Sequence, residues 1–351
     1  MRILVFEWLV GGGAAGDQTM SPDDPFLMQG ADMYGAILDD CLKLGVEVVS
    51  PLDPQQIHAI TNFKELRQDE NFHVTPIHTA QQLRPTLLSL AEAADHIFVI
   101  APECEGILNR CHQWLDEFQS KLLCGPQNLI EVFSNKNQTQ MQLKLKDISV
   151  PHGFPFTPEI LAGGGGEAMG EFLAAPEKLS WPLVVKPCDG AGGDEVLLCR
   201  NLEQLETIAA NQQDIGQVLR LERYIAGTPV SVSVVRNQHE TRLLPPTAQQ
   251  FSNTWHQQRP RDLKKTAPEP IGHFVKSVYP LESKLQQRAE ALASSVADAF
   301  PSWRGYLGVD MVLADDGPDV VVELNPRLTA SYATIRAEMD YNLMEFLLSG
   351  K

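Results

Sequence analysis

The stretch YLGVDMVLADDGPDVVVELN at 306–325 constrains the fold more than any other part of the chain. Its two apolar runs predict a pair of strands, and DDGP at 315–318 is typical of the turn between them. A four-residue loop at that turn places Ala314 opposite Asp319. Because side chains alternate between the two faces of a strand, this register fixes which residues of the hairpin share a face.

The same register places Asp310 opposite Glu323 and adds Asn325 to their face of the hairpin. Two carboxylates opposite each other destabilise a sheet unless a cation neutralises them. Hard oxygen ligands of this kind suit Mg²⁺, with Mn²⁺ as the alternative metal. Arg327, just beyond, is suited to hold a phosphate or a carboxylate with two N–H groups. The competing interpretation is a solvent-facing strand end that carries polar residues.

A glycine-rich turn follows a predicted strand in VVKPCDGAGGDEVLL at 184–198. Small residues let consecutive backbone amides approach a polyphosphate closely, and Lys186 at the end of the strand supplies a positive charge. On its own, this turn is equally typical of an ordinary hairpin. Combined with the metal-binding pattern of the downstream hairpin, it indicates a site for ATP and Mg²⁺. The glycines concerned are Gly190, Gly192 and Gly193.

Two other glycine runs are interpreted differently. GGGAAG at 11–16 fits the pattern of a dinucleotide site, but Pro22 and Pro25 replace the helix that such a site requires after its last glycine. We therefore expect a flexible substrate-side or surface loop there, with an NAD(P)-binding oxidoreductase as the alternative. GGGG at 163–166 has no flanking strand and is predicted to be a flexible linker.

Strand-like and helix-like segments alternate before residue 128, which predicts an open, largely parallel α/β sheet. Its strands are expected at 3–10, 46–51 and 96–102, with helices at 26–45, 81–94 and 107–120. Hairpins and helices follow, so the fold class is α/β with an α+β C-terminal half. Three units are expected, an N-terminal α/β domain at 1–127, a central subdomain at 128–225 and a C-terminal, metal-binding subdomain at 226–351.

Composition argues against several classes of protein. The formal net charge is −17 and no dense run of Lys and Arg interrupts it, so no nucleic-acid partner is expected. No apolar run reaches the length of a membrane span, and Glu7 makes the apolar start typical of a strand rather than of a signal peptide. The six cysteines form no CxxC pair, which favours free thiols and a cytoplasmic location. A homodimer is the default expectation.

The order of several motifs resembles the ATP-grasp superfamily over residues 128–335. These motifs are Asn135-Lys136, LVVKPCDGAGGDEV, RLERYIAGTPVSVSVV, YLGVDMVL and VVELNPRLTASY. The resemblance implies an ATP-grasp fold preceded by an α/β domain. It also implies an ATP- and Mg²⁺-dependent ligase that joins a small carboxylate to a small amine through an acyl phosphate.

The same resemblance implies a role for each motif. Lys136 and Lys186 contact the nucleotide phosphates, with Lys186 also near the adenine, and the turn that begins at Asp189 covers these phosphates. The hairpin oxygens bind one or two Mg²⁺, and Arg327 meets the transferred phosphoryl group or the acyl phosphate. Adenine packs and hydrogen-bonds against Glu222, Arg223, Tyr224 and Ile225.

At the ribose site the sequence departs from the superfamily. Many members have a glutamate shortly after the glycine of this stretch, whereas Pro229 stands near that position here, so Ser231 or Ser233 is the candidate ribose contact. Three shorter matches, LVFEWLVGGG, IAPECEGIL and NPRLTASYATIR, resemble the tyramine–L-glutamate ligase branch, which serves methanofuran biosynthesis.

Several further charged residues are candidates for substrate contacts. Glu7, Glu103 and Glu105 follow N-terminal strands, where each is interpreted as a solvated or capping carboxylate, with the binding of a substrate ammonium as the alternative. Arg336 is a candidate for a substrate carboxylate or for a surface salt bridge. A nucleotide-binding protein without ligase activity is the alternative to the ligase.

Overall fold

The computed structural model describes residues 1–17, 20–157, 181–190, 192–193, 195–212, 218–252 and 268–349. Within these ranges the chain forms three sheets. None of the described helices is both long enough and apolar enough to cross a membrane. The predicted linker at 163–166 lies outside the described residues.

The N-terminal sheet has four parallel strands in the order β3-β2-β1-β4. The strands are β1 (Arg2–Glu7), β2 (Glu47–Leu52), β3 (Phe72–Pro76) and β4 (His96–Ile100). The helices of this region are α1 (Pro25–Lys43), α2 (Phe63–Leu66), α3 (Ala80–Ala93) and α4 (Ile107–Trp114). The predicted parallel α/β sheet is confirmed.

The first strand is shorter than predicted, because its last residue closes a turn. The Glu7 carbonyl accepts a hydrogen bond from the Gly11 N–H at 2.8 Å. The Glu7 carboxylate accepts another from the Val10 N–H, also at 2.8 Å. These two bonds bend the chain at residue 8, so the prediction of a strand over 3–10 is wrong at its C-terminal end.

Two further differences lie near the edges of this sheet. The helix predicted at 107–120 ends at Trp114 and is followed by 3₁₀ turns over Asp116–Lys121. Strand β3 is not predicted from the sequence. As an edge strand it buries only Phe72, so its side chains show no strong alternation of apolar and polar residues.

The second sheet is antiparallel, with the strand order β12-β7-β6-β8-β5. Its strands are β5 (Gly153–Phe156), β6 (Leu183–Pro187), β7 (Leu197–Cys199), β8 (Leu219–Arg223) and β12 (Glu269–Pro270). Helix α7 (Leu202–Gln212) follows β7, and the unit has a small core of its own that includes Leu183, Leu205 and Leu221.

The third sheet is also antiparallel, with the order β13-β11-β9-β14-β15 and with β10 paired to β9. Its strands are β9 (Gly227–Arg236), β10 (Thr241–Leu243), β11 (Thr247–Phe251), β13 (Phe274–Val278), β14 (Gly305–Ala314) and β15 (Val320–Asn325). The remaining described helices are α5 (Gln127–Phe133), α6 (Lys136–Lys144), α8 (Ser283–Ala299), α9 (Ser331–Ile335) and α10 (Leu343–Leu348). Leu4 and Phe6 of the N-terminal sheet share one buried cluster with Val230 and Val309 of this sheet.

The C-terminal hairpin pairs Asp310 with Glu323, as the sequence predicts. The register shifts by one residue immediately after Asp310, and Met311 pairs with Val321. The uniform register predicted from the turn is therefore wrong between this bulge and the turn. A bulge bends a strand and re-aims its side chains, and this one lies directly beside the two carboxylates.

Candidate active site

A cleft between the second and third sheets contains nearly all of the predicted nucleotide and metal ligands. Its described lining includes the two lysines, the three glycines of the turn, residues 222–225, the three hairpin oxygen donors and Arg327. Asp189 is the exception among the predicted residues. Its carboxylate lies outside the lining and accepts a hydrogen bond from the Glu105 N–H at 3.0 Å, which ties the glycine turn to the N-terminal domain.

Lys136 is held at the start of helix α6. Asn135 caps this helix, because its side chain accepts hydrogen bonds from two N–H groups of the first turn. The Lys136 ammonium lies 2.7 Å from Glu323 Oε1 and donates a hydrogen bond to the Gly190 carbonyl. Burial alone would lower the pKa of Lys136, but the neighbouring Glu323 outweighs it and the pKa is raised. A buried ammonium thus links the glycine turn to the hairpin.

Lys186 is fixed by a buried carboxylate. Its ammonium, at the end of β6, lies 2.5 Å from Glu222 Oε1. The other oxygen, Glu222 Oε2, accepts hydrogen bonds from Arg220 Nε at 2.7 Å and from Gln140 Nε2 at 3.1 Å. Burial opposes ionisation of Glu222, but Lys186 and Arg220 together lower the pKa of this carboxyl.

The sequence interpretation missed Arg220 and Gln140. A signal for Arg220 was present, because the otherwise apolar strand LRLER carries Arg220 and Glu222 two residues apart, on the same face. A charged pair on the buried face of a strand needs partners elsewhere. The partner on helix α6 lies 80 residues away in the chain, so spacing alone does not identify it.

The oxygen donors of the hairpin fit a divalent cation. Asn325 Nδ2 donates to Asp310 Oδ2 at 3.0 Å, and the Ser231 and Gln249 side chains face the same carboxylate, although the buried Oδ1 makes no hydrogen bond within 3.5 Å among the described residues. Burial and the neighbouring Glu323 raise the pKa of Asp310 to about 6. The described residues contain no group of three or more His, Cys, Asp or Glu side chains that could hold a metal. A metal here would therefore also need the Asn325 amide and oxygens of a bound phosphate.

Arg327 is paired with a residue of the N-terminal domain. Its Nε and Nη2 atoms both donate to Glu103 Oε2, at 2.9 and 2.8 Å. Burial would lower the pKa of Arg327, but Glu103 outweighs it and the pKa is raised. Glu103 is only 2% exposed, so its interpretation as a solvated or capping carboxylate is wrong. Its other oxygen, Oε1, is buried without a hydrogen-bond partner in the described part of the chain.

The other charged candidates have different surroundings. Glu7 is buried and caps the turn after β1, so the capping interpretation is right for it and the solvated one is wrong. Glu105 has an exposed side chain. Arg336 is paired with Asp39 and Asp40 of helix α1, which agrees with the salt-bridge alternative.

Of the two candidate ribose contacts, only Ser231 faces the cleft. Ser231 lines it beside Pro229, and its hydroxyl faces the Asp310 carboxylate without a hydrogen bond within 3.5 Å in the described ranges. Ser233 does not line the cleft and shares a hydrogen bond with the Tyr306 hydroxyl.

The GGGAAG run forms turns, and the next helix begins only at Pro25. Its amides are used internally, because the Gly11 N–H donates to the Glu7 carbonyl and the Gly13 N–H to the Trp8 carbonyl. Amides bound in this way are not available to a phosphate, which argues against a dinucleotide site.

Comparisons with known proteins identify the family of the chain. Residues 133–331 match the model of the ATP-grasp domain, and residues 60–129 match that of the pre ATP-grasp 3 domain. A D-alanine–D-alanine ligase of Francisella philomiragia subsp. philomiragia is 24% identical over an alignment of 165 positions that covers 44% of this chain. The match spans about half of that relative, 47% of its length.

Solved structures show the same fold. A crystal structure of an ATP-grasp superfamily protein from Archaeoglobus fulgidus superimposes with a TM-score of 0.65 at 14% identity, covering 100% of this chain and 89% of the other. The D-alanine–D-alanine ligase of Bacillus anthracis gives a TM-score of 0.61 at 16% identity, covering 100% and 97%. The L-amino acid ligase of Bacillus licheniformis gives 0.59 at 15% identity, covering 99% and 73%.

Proposed function

Because the chain belongs to the ATP-grasp domain family, we propose that it is an ADP-forming ligase that joins a carboxylate to an amine. The observation that carries this proposal is the grouping of two buried lysines and the largely buried Arg327 around one cleft that also holds a pair of carboxylates. Each cation is paired with an acid: Lys136 with Glu323, Lys186 with Glu222, and Arg327 with Glu103. Cations arranged in this way suit an anionic ligand with several phosphate groups.

The nucleotide is proposed to lie along the cleft. Adenine packs between residues 222–225 and the apolar floor formed by Met311 and Val322, all of which line the cleft. The two lysines then hold the phosphates from the side of the glycine turn. Gly193 has a φ of +80°, a left-handed conformation that suits glycine in a turn that approaches a phosphate closely. Ser231 is proposed to contact the ribose, since Pro229 cannot.

Asp310, Glu323 and Asn325 would hold Mg²⁺. When bound, Mg²⁺ would neutralise charge on the phosphates during transfer. Glu323 must then leave Lys136, which frees this ammonium for the phosphates. The buried carboxylate pair supports the assignment, because Asp310 and Glu323 lie opposite each other and two like charges in that position are unfavourable unless a cation meets them.

The proposed reaction has two steps. A carboxylate oxygen attacks the γ-phosphorus, the bond from this phosphorus to the bridging oxygen breaks, and ADP leaves. The amine nitrogen then attacks the carbonyl carbon of the acyl phosphate, inorganic phosphate leaves, and the nitrogen loses a proton. Arg327 is placed to hold the carboxylate and then the acyl phosphate, and no side chain forms a covalent bond. Positioning and electrostatic stabilisation carry the rate.

For the substrates, we propose L-glutamate as the acid and tyramine as the amine, in the cytoplasm and in the service of methanofuran biosynthesis. The short sequence resemblances quoted above support this pair. The described lining of the cleft next to the glycine turn also supports it, because Phe251, Ile271 and Phe274 are apolar and Ser277 of the same lining adds a hydroxyl. Such a surface suits an amine that carries an apolar ring.

The decisive experiment is an assay of ADP release from Mg·ATP with a panel of carboxylates crossed with a panel of amines. Mass spectrometry of every reaction identifies the product. A γ-glutamyl amide of tyramine with stoichiometric ADP is the expected result. ADP release with another pair would keep the ligase and reject this substrate pair. ATP binding without ADP release for any pair would favour a nucleotide-binding protein without ligase activity.

A further inference from the structure

A buried charge network beside Lys186 contains one more cation than anions. Arg220 and Glu222 are 2% and 3% exposed, and Lys186 is 6% exposed. Glu222 is the carboxylate shared by both cations, with Lys186 on Oε1 and Arg220 on Oε2. A buried cation that is not fully neutralised is unfavourable, so this group of three side chains favours the arrival of an anion.

The two cations differ in what they face. Lys186 lines the cleft, whereas Arg220 does not. The Arg220 guanidinium is fully engaged by protein atoms: besides Glu222, it donates to Asn137 Oδ1 at 3.0 Å, to the Gln140 side chain and to the Pro151 carbonyl at 3.4 Å. Arg220 is therefore fixed in place. Lys186 has three N–H donors and, among the described residues, a single carboxylate partner, so it is the member of the network that is able to turn toward a ligand.

The Arg220 guanidinium also contacts helix α6, which begins at Lys136. Asn137 and Gln140 lie on the first turns of α6, directly after Lys136. Asn137 Nδ2 in turn contacts Cys188 Sγ at 2.8 Å, and the Lys136 N–H donates to the Cys188 carbonyl at 2.7 Å. Strand β8, the end of β6 and the start of α6 are thus joined through Arg220.

From this geometry we propose that Arg220 is a positioning residue for nucleotide binding, which holds Glu222 so that Lys186 stays available to the phosphates. The inference rests on the proposed function, because it assumes that the ligand of the cleft is ATP. Without Arg220, Lys186 is the only cation in contact with Glu222. The carboxylate then holds the ammonium more firmly, and phosphate binding has to break a stronger ion pair.

The test is a double-mutant cycle between Arg220 and Glu222, with the non-hydrolysable analogue AMP-PNP as the ligand in isothermal titration calorimetry. Arg220→Met is expected to weaken AMP-PNP binding by about tenfold or more. In a Glu222→Gln background the same substitution is expected to change the affinity by less than about threefold, because no carboxylate is left to trap Lys186. An equal loss in both backgrounds, or no loss in either, would overturn the proposal.

The affinity for adenosine distinguishes a positioning role from a merely structural one. Adenosine keeps the adenine contacts with residues 222–225 but lacks the phosphates that Lys186 binds, so Arg220→Met is expected to weaken adenosine binding several-fold less than AMP-PNP binding, measured by competition against AMP-PNP. A matched loss for adenosine and AMP-PNP would show a collapsed cleft instead. The control is Arg288→Met, since Arg288 also pairs with a carboxylate, Asp319, but lies outside the described lining of the cleft. It should leave both affinities unchanged.

A second variant covers the case in which Arg220→Met does not fold. Arg220→Lys keeps a cation beside Glu222 and is expected to retain AMP-PNP affinity within about threefold. A tenfold loss with this variant, shared by adenosine, would reject the role of Arg220. If the wild-type protein does not bind AMP-PNP at all, the proposed function itself is wrong, whereas binding by wild type and Arg220→Met alike rejects only the inference about Arg220.

Discussion

Arg327 and Glu103 form a buried ion pair between the end of strand β15 and the loop after strand β4, with Arg327 Nε and Nη2 at 2.9 and 2.8 Å from one carboxylate oxygen. The two residues are 224 positions apart. The pair therefore joins the N-terminal domain to the C-terminal sheet at the cleft. It also means that Arg327 has to leave Glu103, or share it, before it meets a substrate carboxylate.

The first prediction concerns the stability of this pair. Glu103→Ala is expected to lower the free energy of unfolding by about 3–5 kcal/mol, because it leaves a guanidinium that is 12% exposed without the carboxylate to which it donates two hydrogen bonds. Urea denaturation measures the change. The control is Glu47→Ala, which removes the partly exposed pair with Arg2 and should cost much less stability than Glu103→Ala. Similar losses for the two variants would contradict the role of burial.

The second prediction tests the metal assignment. Glu323→Gln is expected to lower kcat for ADP formation by at least about 100-fold, because the amide removes a ligand charge and also the partner of Lys136. The control is Asp319→Asn in the same hairpin, where Asp319 pairs with Arg288 outside the described lining of the cleft. Turnover that is unchanged in Glu323→Gln would reject Glu323 as a ligand.

How far the sequence predicts this site depends on the range of the interactions involved. Asp310 and Glu323 can be paired from the sequence, because the twofold period of strands and a short turn act locally. The bulge after Asp310 cannot, since it depends on how β14 also pairs with β9 along its whole length.

The ion-pair partners of the three cations cannot be assigned from the sequence. Glu323 and Glu222 are both in motifs that the sequence singles out, but nothing in their spacing says which lysine each one holds. Glu103 is misinterpreted because a carboxylate after a strand is usually solvated, and its burial follows only from packing against Arg327. Three of the four parallel N-terminal strands are predicted, by contrast, because buried strands such as ILVF at 3–6 are apolar throughout.

The third prediction concerns pH and Glu7. Burial raises the pKa of Glu7 from 4.5 to about 8, and the Val10 N–H offsets this only in part. The folded protein therefore binds more protons than the unfolded chain between these values, so this residue makes the free energy of unfolding fall as the pH rises through that window. Glu7→Gln imitates the protonated form and should remove this part of the pH dependence.

The measurement is urea denaturation of wild type and Glu7→Gln at about pH 5 and about pH 8.5. The variant should gain at least about 1 kcal/mol relative to wild type between the two conditions. Glu47→Gln is the control, because the exposed Glu47 has a pKa that its hydrogen bond with Arg2 lowers. Parallel stability curves for wild type and Glu7→Gln would show that Glu7 is ionised throughout.

The last prediction concerns the glycine turn over the cleft. Gly193 has a φ of +80°, and a Cβ there would lie 2.8 Å from the Gly272 carbonyl oxygen and 3.2 Å from the Phe251 ring. Gly193→Ala must therefore push the turn away from its neighbours, and the KM for ATP is expected to rise by about tenfold with a smaller change in kcat. Gly317→Ala is the control for backbone strain without displacement of the turn. Gly317 has a φ of +90°, and a Cβ added there would meet no described atom within 4 Å. It should cost about 1 kcal/mol of stability and leave the KM unchanged. An equal rise in the KM for both variants would show that displacement of the turn over the nucleotide is not the cause.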